Sequence, residues 1–135
     1  MAQKIGIDTV ILIYLLEENP AYISQVEKIF NSIQAGIFEA VFSSVGLIEL
    51  FTGVKRKNRY DLVFYYRTLL ADFPHLTIMG INEQIIDIAS DLRAGYSITT
   101  PDAIHLATAV DFGAKKFITN DKSLRQVKEI VVEVL

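Results

Sequence analysis

Four carboxylate residues in this chain stand where an apolar segment ends, where a helix begins, or inside an apolar helix. Asp8 and Asp121 each follow an apolar run of strand length. Asp102 stands in the first turn of a predicted helix, where the helix macrodipole favours a negative charge. Glu49 lies in a largely apolar helical segment, where an unpaired buried carboxylate would be costly. If the four side chains converge, they form a cation site.

Carboxylates at close range repel one another and raise one another's pKa values, and a hard divalent cation relieves that repulsion. The chain contains no cysteine and only two histidines, so its oxygen ligands favour Mg²⁺ or Mn²⁺ over Zn²⁺. A water activated by such a cation can attack a phosphoryl centre. The four acids therefore predict a metal-dependent hydrolytic site.

Each acid also has an ordinary structural interpretation. Asp8 and Asp121 could cap the helical segments that follow them, and Asp102 could be only a favourable first-turn charge. Glu49 could lie on an exposed helix face. His105, three residues after Asp102, is interpreted as a packing or hydrogen-bonding residue rather than a catalytic one. The case for a site rests on the four acids jointly.

The helix that carries Asp102 has recognisable ends. Thr100 is predicted as its N-cap, Pro101 as its first residue and Gly113 as its stop. The residues between them are apolar nearly all round, which predicts a buried helix.

Elsewhere, apolar runs of strand length alternate with longer segments of helical period. The predicted strands are residues 5–7, 38–42, 76–79, 117–118 and 130–134. The other predicted helices are residues 10–16, 21–35, a helix capped by Ser43 or Ser44 and closed by Gly53, 58–73, one from about 85 to Gly95, and a short turn around Leu124. Several strands are continuously apolar, which predicts a doubly wound α/β domain with a parallel sheet. Ligands of such sheets bind beyond the carboxyl ends of strands, where strand order reverses.

The 135 residues fit one domain, residues 1–135, with a sizeable core. The absence of cysteine excludes disulfides, thiolate metal sites and a catalytic thiol. We expect a cytoplasmic protein without membrane association, because the chain has neither a signal-peptide pattern nor an apolar run long enough to span a bilayer.

The net charge of −3 does not favour polyanions by bulk attraction, so binding to nucleic acid requires a local basic patch. Lys55, Arg56, Lys57 and Arg59 form the clearest candidate and follow Glu49 closely. A solvated helix end is the alternative interpretation of this cluster.

With these residues assembled, the chain resembles a PIN domain, and in particular the small VapC-type toxins. The resemblance spans essentially the whole chain and is carried by Ile7-Asp8-Thr9, residues 12–17, residues 44–50, residues 100–109 and Thr119-Asn120-Asp121. It implies a five-stranded parallel sheet of order 3-2-1-4-5 and an endoribonuclease that uses Mg²⁺ or Mn²⁺ to hydrolyse RNA phosphodiester bonds.

The resemblance also implies roles for individual residues. Asp8, Glu49, Asp102 and Asp121 match the acidic catalytic and metal-binding positions. Thr9, Thr119 and Asn120 match the polar residues beside those acids. Two positions depart from the family pattern, because Val10 and Gly46 stand where many members carry polar residues that help to orient metal ligands.

Family members of this type are usually the toxins of toxin–antitoxin pairs, which implies an antitoxin partner and a homodimer. The aromatic residues of the 58–73 helix could form such an interface or pack in the core. Two other functions remain open at this point. One is a PIN-like module that binds protein or RNA without catalysis, and the other is a phosphate-handling switch domain of flavodoxin-like topology.

Overall fold

The computed structural model describes residues 1–135, and its five strands form one sheet. The strands are β1 Gln3–Ile7, β2 Phe38–Ser43, β3 Leu76–Met79, β4 Lys116–Thr119 and β5 Val131–Val134. The helices are α1 Thr9–Leu16, α2 Ile23–Gln34, α3 Ser44–Arg56, α4 Tyr60–Ala71, α5 Glu83–Gly95 and α6 Thr100–Phe112. A 3₁₀ helix, Lys122–Gln126, joins β4 to β5.

The sheet has the order β3-β2-β1-β4-β5, and every neighbouring pair of strands is parallel. This confirms the doubly wound α/β architecture and the strand order that the resemblance implied. It also differs from the 2-1-3-4-5 order of flavodoxin-like domains, so that alternative is wrong. Strand order reverses between β1 and β4, whose carboxyl ends are followed by Asp8 and Asp121.

Helices cover both faces of the sheet, which explains why the buried parts of its strands are apolar on both faces. Alternate residues of β2 show this directly, because Ala40 and Phe42 belong to one buried cluster and Val41 to another. The first cluster includes residues of α1 to α4, and the second includes residues of α5 and α6.

A glycine in β1 brings α6 close to the centre of the sheet. A Cβ atom at Gly6 would lie 2.5 Å from the Cβ of Ala109, so only glycine allows this approach. Because α6 precedes the parallel strand β4, its first turn lies at the carboxyl ends of the strands. The packing of α6 on β1 therefore carries Asp102 towards Asp8.

Two predicted helix ends were wrong. Gly53 does not close α3, which continues to Arg56 because the apolar residues Leu50, Phe51 and Val54 stay on its buried side. The N-cap of α6 is Thr99 rather than Thr100, and its hydroxyl accepts a hydrogen bond from the Asp102 N–H at 3.3 Å. Gly113 ends α6 as predicted, with a left-handed φ of 81°.

No helix is both long and apolar enough to cross a membrane.

Candidate active site

A cleft of about 330 Å³ opens at the carboxyl ends of β1 and β4. All seven residues that the sequence analysis assigned to the acids and their polar neighbours line it: Asp8, Thr9, Glu49, Asp102, Thr119, Asn120 and Asp121. Val10, Ile13 and Tyr14 of α1 complete the lining, so no lysine or arginine side chain contributes to the wall. The fold thus gathers residues from four separate parts of the chain into one acidic cleft.

Both carboxylate oxygens of Asp8 accept hydrogen bonds from the protein. Oδ1 accepts from the Thr9 N–H at 2.7 Å, which makes Asp8 the N-cap of α1. Oδ2 accepts from the Thr119 hydroxyl, also at 2.7 Å. Capping and a place in the cleft are therefore not alternatives for Asp8, because the cap bond itself fixes the side chain at the strand end.

The buried Thr119 hydroxyl connects two of the acids. It donates to Asp8 and accepts from the backbone N–H of Asp121 at 3.1 Å. The Asp121 carboxylate turns towards its own loop, where Oδ1 accepts from the N–H and the hydroxyl of Ser123 at 2.9 and 2.7 Å. Asp121 thus caps the 3₁₀ helix while its side chain still lines the cleft.

Asp102 is half-buried, and burial raises the pKa of its carboxyl group above the ordinary value. The neighbouring negative charges of Asp8 and Asp121 raise that pKa further, against a hydrogen bond from Thr99 that lowers it. Three of the four acids are therefore close enough to repel one another, as the sequence analysis expected of a convergent set.

Glu49 is held in a different way. Its Oε1 accepts from the Thr9 hydroxyl at 2.9 Å and lies 2.7 Å from Nε2 of the buried His105. The hydrogen bond with His105 is the largest cause that lowers the pKa of Glu49, and burial opposes it. Glu49 is therefore a partly exposed carboxylate with two partners, and the prediction that His105 serves packing or hydrogen bonding agrees with this contact.

The cleft suits a divalent cation in its chemistry, although no three acids are already arranged as a closed metal cluster. The donors are carboxylate oxygens, which Mg²⁺ and Mn²⁺ prefer. Burial is the main cause of the raised pKa of Asp102, and the charges of Asp8 and Asp121 add a repulsion that a cation would relieve. Hydrogen bonds from protein groups orient the carboxylates of Asp8, Glu49 and Asp121.

The absent side chain at position 46 has a steric cause. A Cβ atom on Gly46 would lie 2.1 Å from Cζ of the buried Phe42 and 2.7 Å from the Thr9 hydroxyl oxygen. The space that a larger side chain would need is filled by the Phe42 ring and Thr9, and Thr9 itself contacts Glu49. Val10, the other departure, lies in the wall of the cleft.

Gly46→Ala is expected to lower the free energy of unfolding by about 1–3 kcal/mol, because the new methyl group overpacks a fully occupied region. Urea denaturation measures this loss. Gly53→Ala on the same helix is the matched control, since a Cβ there would meet nothing within 4 Å. The control should gain about 0.5–1 kcal/mol from its better helix propensity. Equal stabilities for the two variants would contradict this packing argument.

Tyr14 is a lining residue that the sequence analysis did not single out. Its hydroxyl accepts a hydrogen bond from Nδ2 of Asn120 at 2.7 Å, and its ring stacks on Tyr22 with centroids 4.5 Å apart. Its spacing of four residues from Val10, on the helix that begins at Thr9, was the available signal, because residues i and i+4 share a helix face.

The basic cluster lies outside the cleft, at the end of α3 and in the turn that follows. Lys57 pairs with Glu17 at 3.4 Å, and Arg59 forms two hydrogen bonds with Asp61 at 3.0 and 3.1 Å. Lys55 lines a neighbouring groove of about 340 Å³ together with Arg67. Lys55 and Arg56 make no ion pair, so they carry the cluster's available charge.

Comparisons with known proteins agree with this architecture. The family model described as PIN domain matches residues 5–130. A sequence comparison with curated proteins gives no match.

Several solved structures share the fold at low sequence identity. A toxin–antitoxin complex from Klebsiella pneumoniae is 24% identical, covers 93% of this chain and 94% of that chain, and has a TM-score of 0.71. VapBC2 from Rickettsia felis, bound to a DNA fragment from its promoter, is 18% identical, with coverage of 97% and 98% and a TM-score of 0.74. The Mycobacterium tuberculosis toxin VapC20, described as cleaving the sarcin-ricin loop, is 14% identical, with coverage of 94% and 98% and a TM-score of 0.70.

Proposed function

The chain belongs to the PIN domain family, and from that premise we propose that it is a divalent-metal-dependent endoribonuclease that hydrolyses phosphodiester bonds in RNA. The observation that carries the proposal is the single cleft lined by Asp8, Glu49, Asp102 and Asp121. Four carboxylates without a lysine or arginine beside them form a site for cations rather than one for a bare polyanion.

The four acids are proposed as the catalytic and metal-binding residues, with Mg²⁺ or Mn²⁺ as the cofactor. When bound, the cation supplies charge stabilisation at the phosphoryl group and activation of a water. Asp8 is the most firmly oriented of the acids, because the Thr9 N–H and the Thr119 hydroxyl each hold one of its oxygens. Asn120 donates a hydrogen bond to the Tyr14 hydroxyl in the wall of the cleft. We propose that Thr9, Thr119 and Asn120 orient the residues of the site through such bonds.

RNA is proposed as the substrate because a structural relative is described as cleaving the sarcin-ricin loop. An acidic cleft repels the phosphates that flank a scissile bond. Positively charged side chains outside the cleft must therefore bind the RNA backbone. We propose that Lys55 and Arg56 bind the RNA phosphates, since both lack a carboxylate partner and follow Glu49 on α3.

Replacing both Lys55 and Arg56 by alanine is expected to raise KM for RNA about 10-fold and to reduce the salt slope of binding by about 1–2, because two phosphate contacts are lost. Filter binding at several salt concentrations measures the slope. The matched control is the Lys57→Ala/Arg59→Ala pair, whose charges are already neutralised by Glu17 and Asp61. If the Lys57→Ala/Arg59→Ala variant binds RNA as weakly as the Lys55→Ala/Arg56→Ala variant, the assignment of Lys55 and Arg56 as the phosphate-binding residues is wrong.

We also propose that the protein acts as the toxin of a toxin–antitoxin pair and forms a homodimer, because several structural relatives are toxin–antitoxin complexes. One exposed apolar face on α4 is available for a protein partner. Tyr66 is buried, but Phe64 and Tyr65 are 77% and 59% exposed. They line a groove of about 510 Å³ with Leu69 and Phe73.

Sedimentation of the wild type and of a Phe64→Ser/Tyr65→Ser variant tests what covers this face. A dimer that the variant loses would assign the face to self-association. A dimer that the variant keeps would leave the face for an antitoxin.

The proposed activity is tested by incubating purified protein, free of any antitoxin, with structured RNAs in Mg²⁺, Mn²⁺ or EDTA. Cleavage that requires a divalent cation supports the proposal. Failure of a folded protein to cleave any RNA with either cation would favour a PIN-like binding module instead.

A further inference from the structure

The buried ring of His105 links α6 to Glu49 of α3. Its side chain is 1% exposed, and its Nε2 lies 2.7 Å from Glu49 Oε1 and 3.2 Å from the Thr9 hydroxyl oxygen. We propose that His105 is a positioning residue for Glu49, an inference that rests on the proposed function. It fixes Oε1 against α1 and leaves Oε2 as the only oxygen of Glu49 that can serve the cleft.

The hydrogen-bonding pattern identifies which ring nitrogen carries the proton. Nδ1 is buried and has no hydrogen-bond partner. Nδ1 lacks a partner in either neutral form, so the contact at Nε2 decides: a ring with its proton on Nδ1 would place two acceptor atoms 2.7 Å apart at Glu49. With the proton on Nε2, the ring donates to Glu49, and the Thr9 hydroxyl donates to the same oxygen. Two donors from two helices thus converge on Oε1.

Packing holds the ring in this orientation. The Phe42 ring stacks beside it, with centroids 6.2 Å apart and planes inclined by 26°. Phe42 is fully buried and occupies the space that a side chain at position 46 would need. The polar group that the family pattern places at position 46 is therefore absent here, and Glu49 is instead contacted by His105 and by Thr9, whose hydroxyl adjoins Gly46.

In this arrangement Glu49 offers only one carboxylate oxygen, Oε2, to a cation in the cleft. A glutamate side chain has several rotatable bonds, and Glu49 is 44% exposed, so without a tether it could adopt several rotamers. Loss of His105 leaves the Thr9 hydroxyl as the one remaining donor to Oε1, so the carboxylate should become more mobile while α3 and α6 stay in place. Residues that orient metal ligands through hydrogen bonds typically change metal affinity or activity about 10–100-fold when they are replaced.

The test compares His105→Leu, which removes the donor, with His105→Gln, whose amide N–H₂ can reach the position of Nε2. For His105→Leu we expect Mn²⁺ affinity about 10-fold weaker and kcat about 10–100-fold lower, with KM for RNA unchanged. His105→Gln should recover both values to within about 3-fold of the wild type. Thermal melting establishes that each variant is folded, and if His105→Leu is not, His105→Gln and the ring spectrum below carry the test.

Thr108→Val is the matched control, because Thr108 is also a buried polar residue of α6 and bonds only to the Ile104 carbonyl. It should match the wild type in Mn²⁺ affinity and kcat. If His105→Leu behaves like this control, the proposal is overturned.

Two readouts on the metal-free protein separate this proposal from the proposed function. Nitrogen-15 spectra of the histidine rings should show a proton on Nε2 of His105, and a ring without it would overturn the proposal. A crystal structure of metal-free His105→Leu should show the Glu49 carboxylate displaced or spread over several rotamers, and a Glu49 as well ordered in the same position as in the wild type would overturn it too. Both readouts remain decisive even if the wild type neither binds Mn²⁺ nor cleaves RNA, an outcome that would reject only the proposed function.

Discussion

Asp8→Asn is expected to reduce RNA cleavage by more than about 100-fold while leaving the protein folded. Hydrogen-bond partners of metal ligands are worth about 10–100-fold, so the loss of a ligand charge should exceed that range. The asparagine oxygen can still accept from the Thr9 N–H and cap α1, because asparagine caps helices as well as aspartate does. The Thr119 hydroxyl can turn to accept from the new amide. Single-turnover cleavage and thermal melting measure the two effects separately.

Asp8→Asn assigns a catalytic role to Asp8 only if RNA cleavage falls while the stability of the fold is retained. An Asp8→Asn variant that cleaves RNA at close to the wild-type rate would remove Asp8 from the proposed catalytic set. A variant that loses activity because it unfolds would show that the fold needs the Asp8 carboxylate through its bond with the Thr119 hydroxyl, since asparagine retains the cap.

Asp102→Asn is expected to reduce RNA cleavage by more than about 100-fold, as Asp8→Asn does. In EDTA it is expected to stabilise the protein. Burial and the charges of Asp8 and Asp121 raise the pKa of Asp102, so its negative charge is unfavourable in the metal-free fold. Removing that charge relieves the repulsion at the cost of a favourable first-turn charge. Thermal melting in EDTA measures the net effect, which we expect to be a small rise in Tm because Asp102 is half exposed to solvent.

The pH dependence follows from the same shift. Asp102 binds its proton more tightly in the folded than in the unfolded protein, so its contribution to stability falls as pH rises from 3.8 through its raised folded pKa. Glu49 has the opposite sign, because its pKa is lowered from 4.5 and its stabilising contribution is lost as pH falls below that value. Asp102→Asn should therefore gain more in Tm at pH 7 than at pH 3, and equal gains at the two pH values would contradict the repulsion argument.

Much of the fold could be predicted because its determinants are local. The apolar runs before Asp8 and Asp121 predicted β1 and β4, and Gly113 predicted the end of α6 through its left-handed backbone. The convergence of the acids was predictable from their places at strand ends and in the first turn of a helix, since a parallel sheet brings those points to one edge.

Other features depend on contacts between distant segments and carry no local signal. Glycine is a common helix stop, but the apolar face of α3 continues past Gly53 and the helix continues with it. Thr99 and Thr100 are equally good caps in sequence, and the structure uses Thr99, whose hydroxyl accepts from the Asp102 N–H. The bond between His105 and Glu49 joins residues that are 56 positions apart, so sequence spacing could not reveal it.

We propose above all that the carboxylates of one cleft bind a divalent cation and that RNA is cleaved there. The most direct measurement is single-turnover RNA cleavage in Mn²⁺ by four amide variants of the cleft, Asp8→Asn, Glu49→Gln, Asp102→Asn and Asp121→Asn. Asp87→Asn and Asp91→Asn serve as controls, because both residues are exposed on α5 and lie outside the cleft. We expect each cleft variant to lose most of its activity, the controls to keep theirs, and EDTA to stop the wild type. Cleavage that survives EDTA, or that falls equally in the cleft variants and the controls, would contradict the claim.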